Sequence, residues 1–323
     1  MTDADRPLPA VIRAAGPTVP ALFAAHSERA ARRLIEFFTA EIQNPNTRAA
    51  YARAVVRFDR WCQGHGFRLE ELTPVHVAAY VEELGRGLSK PTVKQHLAAL
   101  KMLGDYLVTG QVIPTNPAAS VRGPKYVIKK GKTPVLTGEE TRALFAAIDP
   151  RTIAGLRDRA LIGVMAYSFA RIGAVLGMGV DDYYQQGKRW WLRLHEKGGK
   201  HHEVPAHHVV EEYLDAYLQA AGTAGEKGTP LFRAIGPDRT LTPRRLDRRH
   251  ALAMVKRRAV NAGLGERIGC HTFRATGITN FLENGGSMEK AQAIAAHESP
   301  KTTKLYDRTA DALTLDEIER IRF

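Results

Sequence analysis

The chain has 323 residues, with 47 Lys and Arg against 34 Asp and Glu, a formal charge of +13. That length accommodates two domains, each with its own core, and the positive surplus favours a polyanionic partner. Two distant cysteines, Cys62 and Cys270, exclude a disulfide framework and fit a reducing cytoplasm. No uninterrupted apolar run reaches a membrane span, and the opening MTDADRPLPAVIRAAGPTVPAL lacks the apolar stretch of a signal peptide.

Residues 1–26, rich in Ala and Pro, are expected to be poorly ordered. Four helical patterns follow, over 27–42, 46–63, 73–85 and 91–108. In the second, Tyr51, Val55, Phe58 and Cys62 recur at helical spacing before Gly64, which is read as its stop; Gly85 and Gly110 are read as stops of the third and fourth. Two faces are basic at helical spacing, Arg53, Arg57 and Arg60, then Lys90, Lys94 and Lys101. Such stripes serve equally as solvated faces or as phosphate contacts.

The stretch RGPKYVIKKGKTP, 122–134, carries Lys125, Lys129, Lys130 and Lys132 and no acid, and its Pro and Gly resist regular structure. It reads as a linker between domains at 27–121 and 135–323, either simply solvated or laid across a duplex. Thr137 and Glu140 then form a capping box for a helix to about residue 148, and a second helix over 156–169 leads to Arg171. WWLRLHEKGGKHHEVP has the pattern of a β-hairpin with Lys197 at its Gly-Gly turn and Lys200 as the competing lysine. In LTPRRLDRRHALAMVKRRAVNAGL, Thr242 is read as an N-cap with Pro243 in the first turn. Arg244, Arg245, Arg248, Arg249, Lys256, Arg257 and Arg258 would then supply phosphate contacts, while Leu246, Leu252, Met254 and Val255 hold the helix to the core.

Near the C-terminus, HTFR puts His271 and Arg274 on one helical face. Ser287 caps the next helix, and Ser299 with Pro300 opens a short one expected to carry Tyr306. In the tail, Thr314 and Glu317 cap an amphipathic helix with Leu315, Ile318 and Ile321 on one side. His195, His201, His202, His207 and His208 lie across a hairpin and the turn after it, with no Cys partner and no His-Glu-x-x-His pattern, so they read as surface histidines and not as a metal site.

His271, Arg274, His297 and Tyr306 follow one another at steps of 3, 23 and 9 positions. These types suit phosphodiester chemistry. A phosphodiester attacked by a hydroxyl gains charge on its non-bridging oxygens, which preorganised Arg and His donors stabilise, Arg doing so bidentately. Tyr can serve as a covalent nucleophile, and a lysine whose pKa is lowered can protonate the leaving oxygen.

Taken in order, Arg171 in FARIGAVLGM, Lys197 in HEKGGKHHEVP, His271 and Arg274 in HTFR, His297 in AAHES and Tyr306 in KTTKLYDR resemble the active-site set of the phage integrase family of tyrosine recombinases. The resemblance implies a mainly α fold with a small β-sheet, in which a helical core-binding domain and a catalytic domain form a clamp round double-stranded DNA. It implies that Tyr306 attacks a DNA phosphate to give a 3′-phosphotyrosyl bond. Arg171 and Arg274 would bind the non-bridging oxygens with help from His297, Lys197 would be the general acid, and His271 would aid proton transfer or hold the phosphate. No metal or nucleotide cofactor is expected, because the covalent bond keeps the phosphodiester energy. A DNA-bound tetramer, accessory bending or directionality proteins and a cytoplasmic, nucleoid-associated location are further implications. A type IB topoisomerase-like nicking and resealing enzyme and an inactive DNA-binding accessory protein are the alternatives. The chain departs from the family where it has Ala174 for an acid, Ala296 for a Gly and Ala275 for a His, which leaves open what orients Arg171.

Overall fold

The computed structural model describes residues 19–126, 131–196 and 201–307. The chain divides into two compact units, Met1–Val127 and Ile128–Phe323, and the division falls within the basic stretch read as a linker.

The first unit is helical. It contains α1 (Ala21–Ala24), α2 (Glu28–Glu36) continued by a π-turn (Phe37–Glu41), α3 (Pro45–His65), α4 (Pro74–Gly87) and α5 (Lys90–Thr109). Its core gathers Phe23, Leu34, Phe37, Phe58, Tyr80, Leu97 and Leu103. The expectation of poor order up to residue 26 fails for α1. Leu22 and Phe23 are buried, and the buried carboxylate of Asp59 accepts a hydrogen bond from the Leu22 N–H at 2.8 Å. Two apolar side chains and a paired carboxylate outweigh the weak helix signal of a Pro-flanked segment.

Two stops also move. Helix α3 runs through Gly64 and ends where Gly66 takes a left-handed φ of 72°, and α4 runs through Gly85 to Gly87. A glycine ends a helix when the chain needs that left-handed residue; its presence alone does not.

The second unit is built on α7 (Ile153–Tyr167), whose Leu161, Ile162, Val164 and Met165 have no exposed surface. Before it comes α6 (Gly138–Ala146), capped reciprocally by Thr137 and Glu140. After it come α8 (Ile172–Gly177) and the antiparallel sheet β1 (Tyr183–Gln186), β2 (Arg189–His195), β3 (His201–Pro205), in the order β1-β2-β3. Leu192 pairs with Tyr183 on one side and Val204 on the other, so the three apolar side chains line the buried face. Helix α9 (His208–Ala221) covers α7, and a small ribbon, β4 (Arg233–Ile235) and β5 (Leu241–Arg245), leads to α10 (Arg248–Asn261). The unit continues with α11 (Cys270–Glu283), α12 (Met288–Ile294) and α13 (Pro300–Lys304). Helices α11 and α7 touch closely at Gly277, where a Cβ would stand 2.0 Å from the Ala166 carbonyl oxygen.

The helix expected from Thr242 begins later. Residues 241–245 pair with β4, and the N-cap is Asp247, whose carboxylate accepts from the N–H groups of Arg249 and His250 at 2.7 and 2.9 Å. An Asp before a run of helix formers outcompetes the earlier Thr-Pro signal, and Pro243 is tolerated in a two-stranded ribbon. Leu252 is not a core residue but 41% exposed, whereas Leu246, Met254 and Val255 are buried. Arg258 is not a surface cation either: it binds Asp158 through Nε at 3.0 Å and Nη2 at 2.8 Å, while Arg157 binds the other oxygen of that fully buried carboxylate. Among the described residues, no helix is long and apolar enough to cross a membrane.

Candidate active site

Arg171 is the N-cap of α8, in the turn that leaves α7. Arg274 lies on α11 and is the largest fully buried side chain of the described residues, with 1% of its surface exposed. Its guanidinium is held by backbone: Nη1 donates to the Phe169 carbonyl and Nη2 to the Ala295 carbonyl at 2.6 Å. Phe169 has a left-handed φ of 55°, an uncommon state for an aromatic residue, and it supplies one of these two oxygens. Burial, then repulsion by Arg171, lowers the Arg274 guanidinium to about 10, while Tyr306 and Glu196 pull the other way. It therefore stays charged at neutral pH.

His297 is buried after α12, and its Nδ1 lies 2.9 Å from the Thr303 hydroxyl. Burial, followed by the charges of Arg274, Arg171 and His271, lowers its imidazole to about 4, so it is neutral at pH 7. Tyr306 is buried and lies in a turn two residues beyond the end of α13, not on that helix as expected. Thr279 of α11 donates to its carbonyl at 2.9 Å, and its ring stacks on His297 with centroids 5.8 Å apart. His271, in the first turn of α11, keeps an exposed edge while much of its ring is shielded. Loss of water contact, then the Arg274 and Arg171 cations, lowers it as well. The structure thus brings Arg171, His271, Arg274, His297 and Tyr306 into one electrostatic neighbourhood. Lys197 lies outside the described residues, as do Lys129, Lys130, Lys200 and the tail from 308.

The carboxylate partner of Arg171 was not legible in the sequence. Arg171 Nη1 donates at 2.7 Å to Glu196, the residue after β2. Ala275 is part of a small core with Phe169, Ile278 and Ala295, and Ala296 takes a left-handed φ of 47°, which accounts for glycine being usual there.

The basic candidates separate. Lys90, Lys94, Lys125, Lys132, Arg244 and Arg248 are exposed. Lys101 donates to the Ala119 carbonyl at 3.0 Å, and Arg245 donates through Nη1 to the carbonyls of Leu176 and Met178, the latter at 2.8 Å. Both have internal work. The histidine patch is occupied locally: His195 pairs with Asp182 at 2.7 Å, and His202 lies 2.9 Å from the Ile294 carbonyl. Among the described residues no three His, Cys, Asp or Glu side chains converge to hold a metal ion. Burial raises the Cys270 thiol, which suits a packed side chain and not a nucleophile.

Residues 134–312 match the phage integrase family and residues 34–111 match the phage integrase N-terminal SAM-like domain, so the chain belongs to the phage integrase family, the tyrosine recombinases. It is 30% identical over 283 residues to tyrosine recombinase XerD of Corynebacterium glutamicum, covering 83% of this chain and 89% of that protein. It is 31% identical over 229 residues to tyrosine recombinase XerC of Chlamydia muridarum, covering 70% and 69%. Among solved structures, XerH recombinase bound to palindromic difH substrate in a post-cleavage complex has a TM-score of 0.69 at 18% identity, over 96% of this chain and 95% of that one. A lambda integrase tetramer bound to a Holliday junction has a TM-score of 0.66 at 16% identity, over 90% and 82%. At these identities the structural likeness is one of fold.

Proposed function

We propose that this chain recombines DNA at a specific duplex site, with Tyr306 as the nucleophile. The phenol oxygen attacks the phosphorus, a P–O bond to Tyr306 forms, and the bond to the 5′ oxygen breaks. Lys197 protonates that oxygen, and a 5′-hydroxyl from a partner duplex then reverses the step and frees Tyr306. The charges of Arg171 and Arg274 meet the non-bridging oxygens. Neutral His297 adds an N–H donor, and His271 holds the phosphate or takes up the phenolic proton. The observation that carries this reading is that Arg171, Arg274, His271 and His297 lie within electrostatic reach of one another, that Arg274 and His297 also reach Tyr306, and that the Arg274 guanidinium is fixed by two backbone carbonyls.

The exposed Lys90, Lys94, Lys125, Lys132, Arg244 and Arg248 carry the phosphate contacts of binding, joined by Lys129 and Lys130. Lys101 and Arg245 contribute less, being engaged with carbonyls. Exchange of strands needs partners, so the working form is a DNA-bound tetramer in the cytoplasm, on the nucleoid, with accessory proteins setting direction. Two labelled duplexes carrying the site test this. Recombinant product and a detergent-stable protein–DNA adduct are expected. Adduct without exchange between duplexes indicates nicking and resealing alone, and DNA binding without adduct contradicts an enzyme.

A further inference from the structure

Position 174, three residues after Arg171, is an alanine buried in the core, and a methyl group accepts no hydrogen bond from a guanidinium. The carboxylate that meets Arg171 comes instead from 25 residues away, at the end of β2: Glu196 Oε2 to Arg171 Nη1, 2.7 Å. The Glu196 side chain is 7% exposed and that of Arg171 40%. A carboxylate so shielded requires a cation, whereas a half-open guanidinium keeps further N–H groups for a ligand.

The strand end that presents Glu196 is itself anchored. His195 pairs with His201 across the sheet, and its Nε2 lies 2.7 Å from Asp182 Oδ2. That carboxylate oxygen also accepts the Gly179 N–H at 2.9 Å. Glu196 also lies close enough to offset part of the repulsion between Arg171 and Arg274.

We infer that Glu196 is the positioning residue for Arg171, supplying from the hairpin the carboxylate that position 174 lacks. One carboxylate thus ties the end of β2 to the Arg171 guanidinium, and the aim of Arg171 follows from where that strand ends. The inference rests on the recombinase reading above.

The test is single-turnover cleavage of a nicked trapping substrate at saturating DNA, with DNA affinity measured alongside. Glu196→Gln keeps the shape and loses the charge. It is expected to lower the cleavage rate about 10- to 100-fold, as removing the partner that orients a functional group commonly does, with DNA affinity unchanged. In an Arg171→Ala background the same change should cost nothing more, since Glu196 acts through Arg171. A 5′-sulfur-bridged substrate, whose thiolate leaves without an acid, should not rescue Glu196→Gln. Wild-type cleavage by Glu196→Gln overturns the inference. So does an equal loss in both backgrounds, which marks a general loosening of the hairpin, and so does rescue by the sulfur substrate, which places the effect at Lys197. Absence of any adduct from the wild-type chain contradicts the recombinase reading instead.

Discussion

The His297 imidazole and the Tyr306 phenol lie stacked, their planes within 6° and centroids 5.8 Å apart, and the Thr303 hydroxyl holds the imidazole from the side at 2.9 Å. The two rings are thereby fixed against one another. A neutral His297 is part of this arrangement, because burial first, and then the charges of Arg274 and Arg171, disfavour its protonation.

That neutrality has a pH signature. The unfolded chain protonates His297 near 6.5 and the folded chain near 4. Between those values the unfolded state binds the extra proton, so stability is present above about pH 6.5 and lost as pH falls towards 4. The loss is on the order of 3 kcal/mol as an upper figure. Denaturant unfolding at pH 7 and pH 5 should show His297→Gln less pH-sensitive than wild type, and identical slopes would contradict the assignment.

Ala296 provides a backbone test. Its φ of 47° costs an L-residue about 1–2 kcal/mol, and a glycine there avoids that cost while losing about 0.4–1 kcal/mol through its freer unfolded chain. Ala296→Gly should therefore leave stability unchanged or raise it by up to about 1.6 kcal/mol, seen as a melting shift of up to a few degrees. A clear drop in melting temperature would show that residue 296 is not left-handed.

Asp158 holds Arg157 and Arg258 at once and is fully buried. Asp158→Ala strands two shielded cations and should cost about 3–5 kcal/mol. A loss under about 1 kcal/mol in denaturant unfolding would mean that the pairs are weakly formed.

The tail supplies an assembly test. If the apolar stripe of Leu315, Ile318 and Ile321 docks on a neighbouring protomer, deleting residues 312–323 leaves single-site DNA binding intact and abolishes synapsis of two sites in a gel-shift assay. A truncated chain that still pairs and recombines two sites contradicts that role.

What the sequence made legible was local or motif-bound. The helical periods, the Thr137–Glu140 box and the ordered spacing of Arg171, His271, Arg274, His297 and Tyr306 all repeat or cluster within the chain. What it hid was partnership across distance. Glu196 reads as an ordinary hairpin acid until the fold carries it to Arg171, and Arg258 reads as one more surface cation until α10 lays it on Asp158. Arg245 looked like a phosphate ligand because its neighbours are arginines, yet the strand turns it to backbone carbonyls. Competing caps were the other source of error: Thr242 with Pro243 and Asp247 are both sound helix starts, and only the pairing of residues 241–245 with β4 decides between them.

The central claim is that Tyr306 forms the covalent bond to DNA. Wild-type and Tyr306→Phe chains are incubated with a nicked trapping substrate, denatured and digested, and the DNA-linked peptide is identified by mass spectrometry. Wild type should yield a phosphotyrosyl adduct on the peptide containing Tyr306, and Tyr306→Phe should bind the same DNA with equal affinity and give no adduct. An adduct that persists in Tyr306→Phe, carried by any other residue, would contradict the account.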